Sequence, residues 1–460
     1  MNLIGKSLLE LKGMVEKKQI SHAELWKFFS DRVEKYDKAL NCFVTPPSKE
    51  GTGLAQNGAE GFPIAFKDNF NTKGIRTTAS SKVLDTYIPP YNATVVEKLL
   101  GMQFAVFGKT NMDAWAHGSS TETSDYGPTN NPWDVSRAAG GSSGGSAAAT
   151  AAYLVPAAIG SETAGSIRQP AAWCGLVGLK PTYGRVSRYG VIAMGSSWDC
   201  PGPITRTVED AAYLLEIIQG EDPYDATTLP AGNSKYEIRK TKKMRIGVCK
   251  DYLENIDPDI QKRFDETVEI LKKLGHEIIP VTLISPKYSI SVYTILQRSE
   301  VSSNLNRYDG VRYGKDRTFF GEEAKRRIML GTYSLSHGYY DAFYKKAEKV
   351  RQLIIRDFES AFQTVDLIIA PTTPLTAIKK GEFEKYPFFG EVMDVLNEPA
   401  AAAGIPAINV PMGLDSQNLP IGLQFMAGRL QEEKILSIAY QLEQETNFMG
   451  VREALLKRYE

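Results

Sequence analysis

The sequence is poor in histidine and cysteine, and neither charge is in excess. Its 460 residues include four histidines and four cysteines, and Lys plus Arg equals Asp plus Glu at 54 each. A zero net charge argues against a broad basic surface for nucleic acid, which needs clustered excess cations. The cysteines are scattered without a CxxC pair, which favours buried, reduced thiols over a disulfide or zinc framework.

Long apolar runs are also missing. No stretch of 18 residues is apolar and free of charge, and the N-terminal stretch 1–18 has the pattern of an amphipathic helix with charges inside it. These features predict neither a membrane span nor a signal peptide. Together with the reduced cysteines, they predict a cytoplasmic protein.

Helical and strand-like patterns alternate along the chain. Two N-terminal helices are predicted over 3–38, and a polar, Gly-rich loop over 46–60. Strand patterns at 62–66 and 103–108, with a helical pattern at 93–100 between them, predict parallel βαβ units and hence an α/β fold.

The second half continues this alternation. Stretch 221–242 resembles a linker, which either divides two domains or belongs to a large insertion within one sheet. Further strands are predicted at 244–249 and 366–370, and further helices at 211–218, 258–274 and 340–363.

A Gly/Ser run at 140–146 precedes Ala147-Ala148-Ala149. Such a run is often a flexible linker, but this one leads directly into a helix start with Ser146 as a plausible N-cap. Glycines ahead of a helix let the backbone approach a ligand closely. We therefore expect a functional turn here.

The same run contains a GxSxG match, typical of the nucleophile of α/β-hydrolases, around Ser142 or Ser143. That mechanism needs a histidine base downstream. His22 and His117 precede the serines. His276 resembles a helix-end residue, which leaves His337 as the better candidate for a histidine base.

A second small-residue turn, at 160–170, carries Ser166. Successive small residues leave several backbone N–H groups free to converge, as an oxyanion hole requires. With histidine scarce, the candidate base is a lysine kept neutral by burial. Lys67, which follows an apolar strand, meets that description.

These segments together resemble a known family. The stretches Gly-Phe-Pro-Ile-Ala-Phe-Lys-Asp-Asn (61–69), Gly-Gly-Ser-Ser-Gly-Gly-Ser (140–146) and Gly-Ser-Glu-Thr-Ala-Gly-Ser-Ile-Arg-Gln-Pro (160–170) are similar to the amidase-signature family. Ser142 follows Lys67 by 75 residues, and Ser166 follows Ser142 by 24, in agreement with the family's pattern.

The resemblance implies the fold and the catalytic roles. The fold would be a large mixed, mostly parallel sheet covered by helices on both faces, in one domain over 1–460. That domain would comprise N-terminal helices (1–45), a catalytic region (about 61–212) and a substrate-recognition region (about 290–430). Ser166 would be the nucleophile, Ser142 a relay held by a cis peptide and neutral Lys67 the base. The oxyanion hole would be formed by Thr163, Ala164 and Gly165.

Other stretches resemble one branch of the family, the glutaminase subunits of tRNA-dependent amidotransferases. They lie at 178–190, 325–333, 338–344 and 419–424, with Ser302-Ser303-Asn304-Leu305 as a further match. This resemblance implies glutamine binding by Tyr293, Arg327 and Asp394. An arginine suits the α-carboxylate and an aspartate the ammonium of a free amino acid.

The same branch implies partners. Ammonia would pass to a tRNA-binding B subunit, which acts together with a small C subunit, to convert Glu-tRNA(Gln) into Gln-tRNA(Gln). This chain would need no cofactor of its own, since ATP and Mg²⁺ would act in the tRNA-binding partner.

Some positions depart from the family's pattern. Ala164 stands where the family usually has glycine, which restricts φ in the oxyanion turn. Stretch 111–117 (Asn-Met-Asp-Ala-Trp-Ala-His) replaces a more common Asp-Glu-Phe and Met. We expect activity to survive these changes. The alternatives are a stand-alone amidase for small or aryl amides, and a catalytically silent interaction subunit.

Overall fold

The structure is a computed structural model that describes residues 3–47, 60–230, 235–239, 242–311, 314–446, 448, 452, 455 and 457–459. The loop predicted at 46–60 therefore lies almost entirely outside the described residues. Parts of the predicted linker at 221–242 do as well. Within the described part of the chain, no helix is long and apolar enough to cross a membrane. Cys42, Cys174, Cys200 and Cys249 are buried and unpaired with one another, as predicted.

The described strands form a single eleven-stranded sheet, in the order β1-β3-β2-β4-β6-β5-β10-β11-β9-β7-β8. Their bounds are β1 Phe43–Thr45, β2 Phe62–Lys67, β3 Phe104–Thr110, β4 Ala158–Glu162, β5 Val177–Lys180, β6 Cys200–Thr205, β7 Arg245–Cys249, β8 Glu277–Val281, β9 Leu367–Pro371, β10 Ala407–Leu414 and β11 Pro420–Ala427. The α/β class and the mixed sheet are confirmed.

The expectation of a mostly parallel sheet is wrong. Among the described strands, only the pairs β2–β3, β2–β4, β7–β8 and β7–β9 are parallel. The central pairs are antiparallel because β6 lies between β4 and β5 in the reverse direction. Strands β10 and β11 form a hairpin, with Asn409 opposite Gln424. Short hairpin connections need no crossover helix, so helix–strand alternation did not reveal them.

The described helices are α1 Leu8–Glu16, α2 His22–Leu40, α3 Thr94–Gly101, α4 Gly144–Ala151, α5 Arg168–Trp173, α6 Val208–Ile218, α7 Pro258–Lys273, α8 Lys287–Leu305, α9 Glu322–Leu335, α10 Tyr344–Ala361, α11 Glu398–Ala402 and α12 Glu432–Thr446. Their sequence signals are plain in several cases. Ser7 and Ser21 form capping boxes with Glu10 and Glu24, and Thr207 caps α6.

Both faces of the sheet are buried. Along β9, Leu367 and Ile369 belong to one hydrophobic cluster, whereas Ile368 and Ala370 belong to another. Successive side chains of a strand point to opposite faces, so each cluster covers one side of the sheet. All described strands share this sheet. The division into catalytic and recognition regions stays a prediction.

Candidate active site

The candidate base and its neighbour meet at the carboxyl end of β2. Lys67, the last residue of that strand, donates a hydrogen bond of 2.7 Å from Nζ to Ser142 Oγ. A second bond of 2.9 Å runs from Nζ to the carbonyl oxygen of Ser161. The peptide bond between Gly141 and Ser142 is cis. The structure thus brings Lys67 and Ser142 together as the sequence predicted.

The Gly/Ser run is not a linker, since all of 140–151 is buried. Helix α4 begins at Gly144, earlier than expected, and Ser146 is not its N-cap. The hydroxyl of Ser146 instead shares a 2.6 Å hydrogen bond with Thr110. A Cβ at Gly145 would lie 2.5 Å from backbone atoms of Asn111. The glycines therefore allow close packing, and this packing overrides the capping signal.

Lys67 lies in an environment that favours its neutral form. Its side chain is completely buried, and burial lowers its pKa from 10.5 to about 7, although the charges of Asp113, Asp199 and Glu162 raise it. Desolvation dominates because none of these carboxylates forms an ion pair with it in the described structure. A lysine with this pKa can accept a proton near neutral pH.

Ser166 lies in the turn between β4 and α5, against the Gly/Ser run. The N–H of Ser143 donates to the carbonyl oxygen of Ser166 at 3.2 Å, which joins the two segments. Glu162 holds the turn, since it accepts bonds of 3.1 Å from the N–H groups of Ile167 and Arg168. The Arg168 guanidinium pairs with the same carboxylate, and both side chains are fully buried.

The backbone of this turn offers free donors. In the part of the chain that is described, the N–H groups of Thr163 to Ser166 have no hydrogen-bond acceptor. Ala164 does not adopt a positive φ, so alanine is tolerated where the family usually has glycine. Its carbonyl oxygen accepts a 2.9 Å bond from Arg168. The arrangement fits an oxyanion hole.

Two buried carboxyl groups support the site and were not predicted. Asp199 accepts a 2.7 Å bond from the Thr163 hydroxyl, and burial raises its pKa to about 6. Asp113 donates through its N–H to the carbonyl oxygen of Ser142 at 3.3 Å, and its carboxyl group binds the N–H groups of Ser120 and Thr121. Their roles arise from burial and tertiary contacts, which no local sequence pattern signals.

Asp394 lies beside the turn that carries Ser166. A Cβ on Gly165 would lie only 2.1 Å from Asp394 Oδ1, so the two groups are in close contact. Ser119 donates a 2.5 Å hydrogen bond to Oδ2, whereas Oδ1 is buried without a partner in the described structure. Burial raises the pKa of Asp394 to about 7. An unpaired buried carboxylate oxygen suits an incoming cation.

Arg327 is buried, and only 2% of its side chain is exposed. Its guanidinium binds Glu323 at 2.6 Å, Gln297 at 3.1 Å and Glu391 at 2.8 Å. Tyr293 packs edge-on against Trp198, with ring centroids 5.6 Å apart. Glu391 was not predicted. It also pairs with Arg298 and so orders this cluster.

A cavity of about 550 Å³ adjoins part of this cluster. Ser119 and Arg327 both line it, together with His117, Glu122, Glu323 and Arg326. Ser119, in the wall of this cavity, contacts Asp394, which in turn lies against Gly165 in the turn that carries Ser166. The described residues include no group of three or more His, Cys, Asp or Glu side chains that could hold a metal ion.

The histidine-dependent alternative finds no support. The ring of His276 accepts a hydrogen bond from the N–H of Met244 and bonds to Gln441. His337 lies in the turn that follows α9. Neither ring makes a hydrogen bond to Ser142 or Ser143 within the described structure.

Comparison with known proteins agrees with this geometry. Residues 24–436 match the Amidase family. The chain is 46% identical to the A subunit of glutamyl-tRNA(Gln) amidotransferase from Halothermothrix orenii, over 99% of this chain and all of that protein. Among solved structures, that of the Thermotoga maritima A subunit superposes with a TM-score of 0.86 at 40% identity, covering 97% of each chain.

A more distant structure, 6-aminohexanoate cyclic dimer hydrolase, is 25% identical with a TM-score of 0.89, covering 99% of this chain and all of the other. The fold is thus shared with this hydrolase as well. Family match, full-length identity and fold agree, and the chain belongs to the amidase family, that of the amidase-signature enzymes.

Proposed function

We propose that this chain is the glutaminase subunit of a tRNA-dependent amidotransferase. It hydrolyses glutamine to supply ammonia for the conversion of Glu-tRNA(Gln) to Gln-tRNA(Gln). The observation that carries the substrate assignment is the unpaired, buried Oδ1 of Asp394 against Gly165. It provides a counter-charge for an α-ammonium next to the proposed nucleophile. Full-length identity of 46% to an amidotransferase A subunit supports the same assignment.

In the first step, Ser166 Oγ attacks the carboxamide carbon of glutamine. The proton of Ser166 passes to Ser142 Oγ, and the proton of Ser142 passes to Lys67 Nζ, 2.7 Å away, whose lone pair accepts the hydrogen bond when the amine is neutral. Lys67 performs this role because burial lowers its pKa to about 7. The carbonyl oxygen becomes an oxyanion, which the free N–H groups of Thr163 to Gly165 stabilise.

The tetrahedral intermediate then collapses. The C–N bond breaks, and the proton held on Lys67 returns through Ser142 to the departing nitrogen, which leaves as ammonia. The product is a glutamyl ester on Ser166. Water, deprotonated along the same relay, hydrolyses the ester and regenerates the three side chains. The reaction needs no cofactor in this chain.

The charged residues select the amino acid. Asp394 binds the α-ammonium, Arg327 binds the α-carboxylate and Tyr293 lines the pocket. Three of the five N–H groups of Arg327 already bind protein groups, which fixes its plane and leaves two for the ligand. A neutral aryl amide cannot pair with these charges. We therefore favour a glutaminase over the alternative of a stand-alone amidase for small or aryl amides.

The ammonia is used by partner proteins. A tRNA-binding B subunit, with ATP and Mg²⁺, activates the glutamate on the tRNA, and the complex is completed by a small C subunit. The zero net charge of this chain agrees with a division of labour in which a partner binds the tRNA.

The experiment uses the purified complex with native partners, with Ser166→Ala as the test variant and Ser143→Ala as the matched control. Ser143 is the adjacent buried serine, and its hydroxyl makes a 3.2 Å bond to the Ser161 carbonyl oxygen. We expect Ser166→Ala to abolish glutamine-dependent transamidation of Glu-tRNA(Gln) but to retain transamidation with ammonium chloride. Ser143→Ala should stay near wild type.

Glutaminase activity that survives in Ser166→Ala would contradict the assignment of the nucleophile. Efficient turnover of simple or aryl amides without partner stimulation, and no transamidation with either nitrogen source, would favour the stand-alone amidase. Labelling of Ser166 by a fluorophosphonate probe would exclude a catalytically silent role for this chain.

A further inference from the structure

His117 lies in the wall of the 550 Å³ cavity, and its ring has no partner in the described structure. The side chain is fully buried, yet neither Nδ1 nor Nε2 makes a hydrogen bond to any described residue. Buried polar atoms are normally hydrogen-bonded, so an unpaired imidazole at a residue that lines a cavity is a candidate to bind a ligand. The proposed mechanism above does not use this residue.

The backbone of His117 is fixed even though its ring is unpaired. Thr123 donates a 3.2 Å hydrogen bond to the carbonyl oxygen of His117, and the N–H of His117 binds the carbonyl oxygen of Ala114. Two residues further on, Ser119 donates to Asp394. His117 is therefore held at a defined place in the wall of the cavity that Arg327 and Ser119 also line.

The ring is neutral in this setting. Burial, followed by the positive charge of Arg327, lowers the pKa of His117 well below its usual value of 6.5. The other charged groups that act on it are Glu323, Arg298 and Arg326. A neutral imidazole carries one N–H donor and one acceptor nitrogen. Beside Arg327, the donor suits an anionic group of the ligand.

We propose that His117 donates a hydrogen bond to the α-carboxylate of the substrate, beside Arg327, and so helps the cavity to select amides that carry a free carboxylate. The inference rests on the proposed glutaminase function, and it deepens the substrate assignment. Methionine has no hydrogen-bond donor, so a His117→Met substitution removes the proposed contact.

The test compares His117→Met with His117→Gln in the intact complex. Two substrates are used, namely glutamine and 4-aminobutanamide, which is glutamine without its α-carboxylate. Loss of a hydrogen bond to a charged group predicts that His117→Met raises the KM for glutamine about tenfold with little change in kcat. The kcat/KM for 4-aminobutanamide should not change. His117→Gln, which keeps a donor, should stay close to wild type on both substrates.

An unchanged KM for glutamine in His117→Met would overturn the inference. Equal losses on both substrates would also overturn it, because the ring would then only fill space. If the wild-type complex failed to hydrolyse glutamine, the proposed function itself would fail, which is a different result.

A second measurement does not depend on a His117 variant. Because the chain has only four histidines, ¹⁵N-histidine labelling confined to this chain of the complex gives a simple spectrum. In a Ser166→Ala complex, glutamine should shift the His117 ring resonances, and 4-aminobutanamide should shift them much less. No shift with saturating glutamine would overturn the inference.

Discussion

Replacing the proposed base should stabilise the protein while abolishing its activity. A lysine pKa of about 7 in place of 10.5 corresponds to about 5 kcal/mol of destabilisation of the folded state at pH 7 and below. Methionine has a volume similar to that of lysine, and the Lys67→Met substitution removes this destabilisation. The variant loses the bonds to Ser142 and Ser161, at about 1–2 kcal/mol each. The net expectation is a gain of about 1–3 kcal/mol in the free energy of unfolding.

The pH dependence of the free energy of unfolding tests separately whether Lys67→Met stabilises the protein. Because the pKa of Lys67 is lowered in the folded state, the unfolded chain binds one more proton between about pH 7 and 10.5. The wild type therefore gains stability from this group as the pH rises through that window. Lys67→Met has no such term. The gain in the free energy of unfolding of Lys67→Met over the wild type should be largest near pH 7 and disappear by about pH 9.

The assay is urea unfolding at a series of pH values, with Lys109→Met as a matched control. Lys109 is also fully buried, and burial lowers its pKa to about 8, but its Nζ lies 3.6 Å from Asp68. Removing Lys109 leaves that carboxylate without its cation, which should destabilise the fold by about 3–5 kcal/mol. The reasoning is refuted if Lys67→Met is less stable than wild type near pH 7, or if its advantage is independent of pH.

Three further predictions concern the nucleophile turn and the ammonium site. Gly165→Ala should lower kcat/KM for glutamine by roughly 100-fold, since its Cβ would displace Asp394, whereas Ala164→Gly should stay near wild type in the same steady-state assay. Because burial raises the pKa of Asp394 to about 7, its carboxylate is lost as the pH falls below that value. The wild-type KM for glutamine should then rise between about pH 8 and pH 6, and an Asp394→Asn variant with a pH-independent KM would agree with this. Arg168→Met should lower the free energy of unfolding in urea by about 3–5 kcal/mol because it leaves the buried Glu162 carboxylate without its cation, and an unchanged midpoint would contradict that reading.

Much of the fold was accessible from the sequence because its signals are local. Helix α7 and strand β7 lie within a residue of their predicted bounds, since hydrophobic periodicity and capping residues determine them. The direction of a strand within the sheet, in contrast, has no local sequence signal. Whether β6 runs with or against β4 depends on tertiary pairing, which no local pattern encodes, and the excess of antiparallel pairs was therefore missed.

The candidate site likewise combines features that the sequence predicts with features that depend on tertiary contacts. Lys67, Ser142 and Ser166 could be named because their spacing and small-residue context match a family pattern. The start of α4 was misjudged because contacts of Gly144 and Gly145 with distant segments override the local signal of Ser146. The supporting carboxyl groups were missed because their roles arise from burial and partners across the fold.

The most direct test of the central claim is the location of the covalent intermediate. The complex is mixed with glutamine, quenched in acid within the first turnovers, digested and analysed by peptide mass spectrometry. The account predicts one glutamyl group on the peptide that contains Ser166, and none in a Lys67→Met complex. A glutamyl group on Ser142 or Ser143 instead would contradict it.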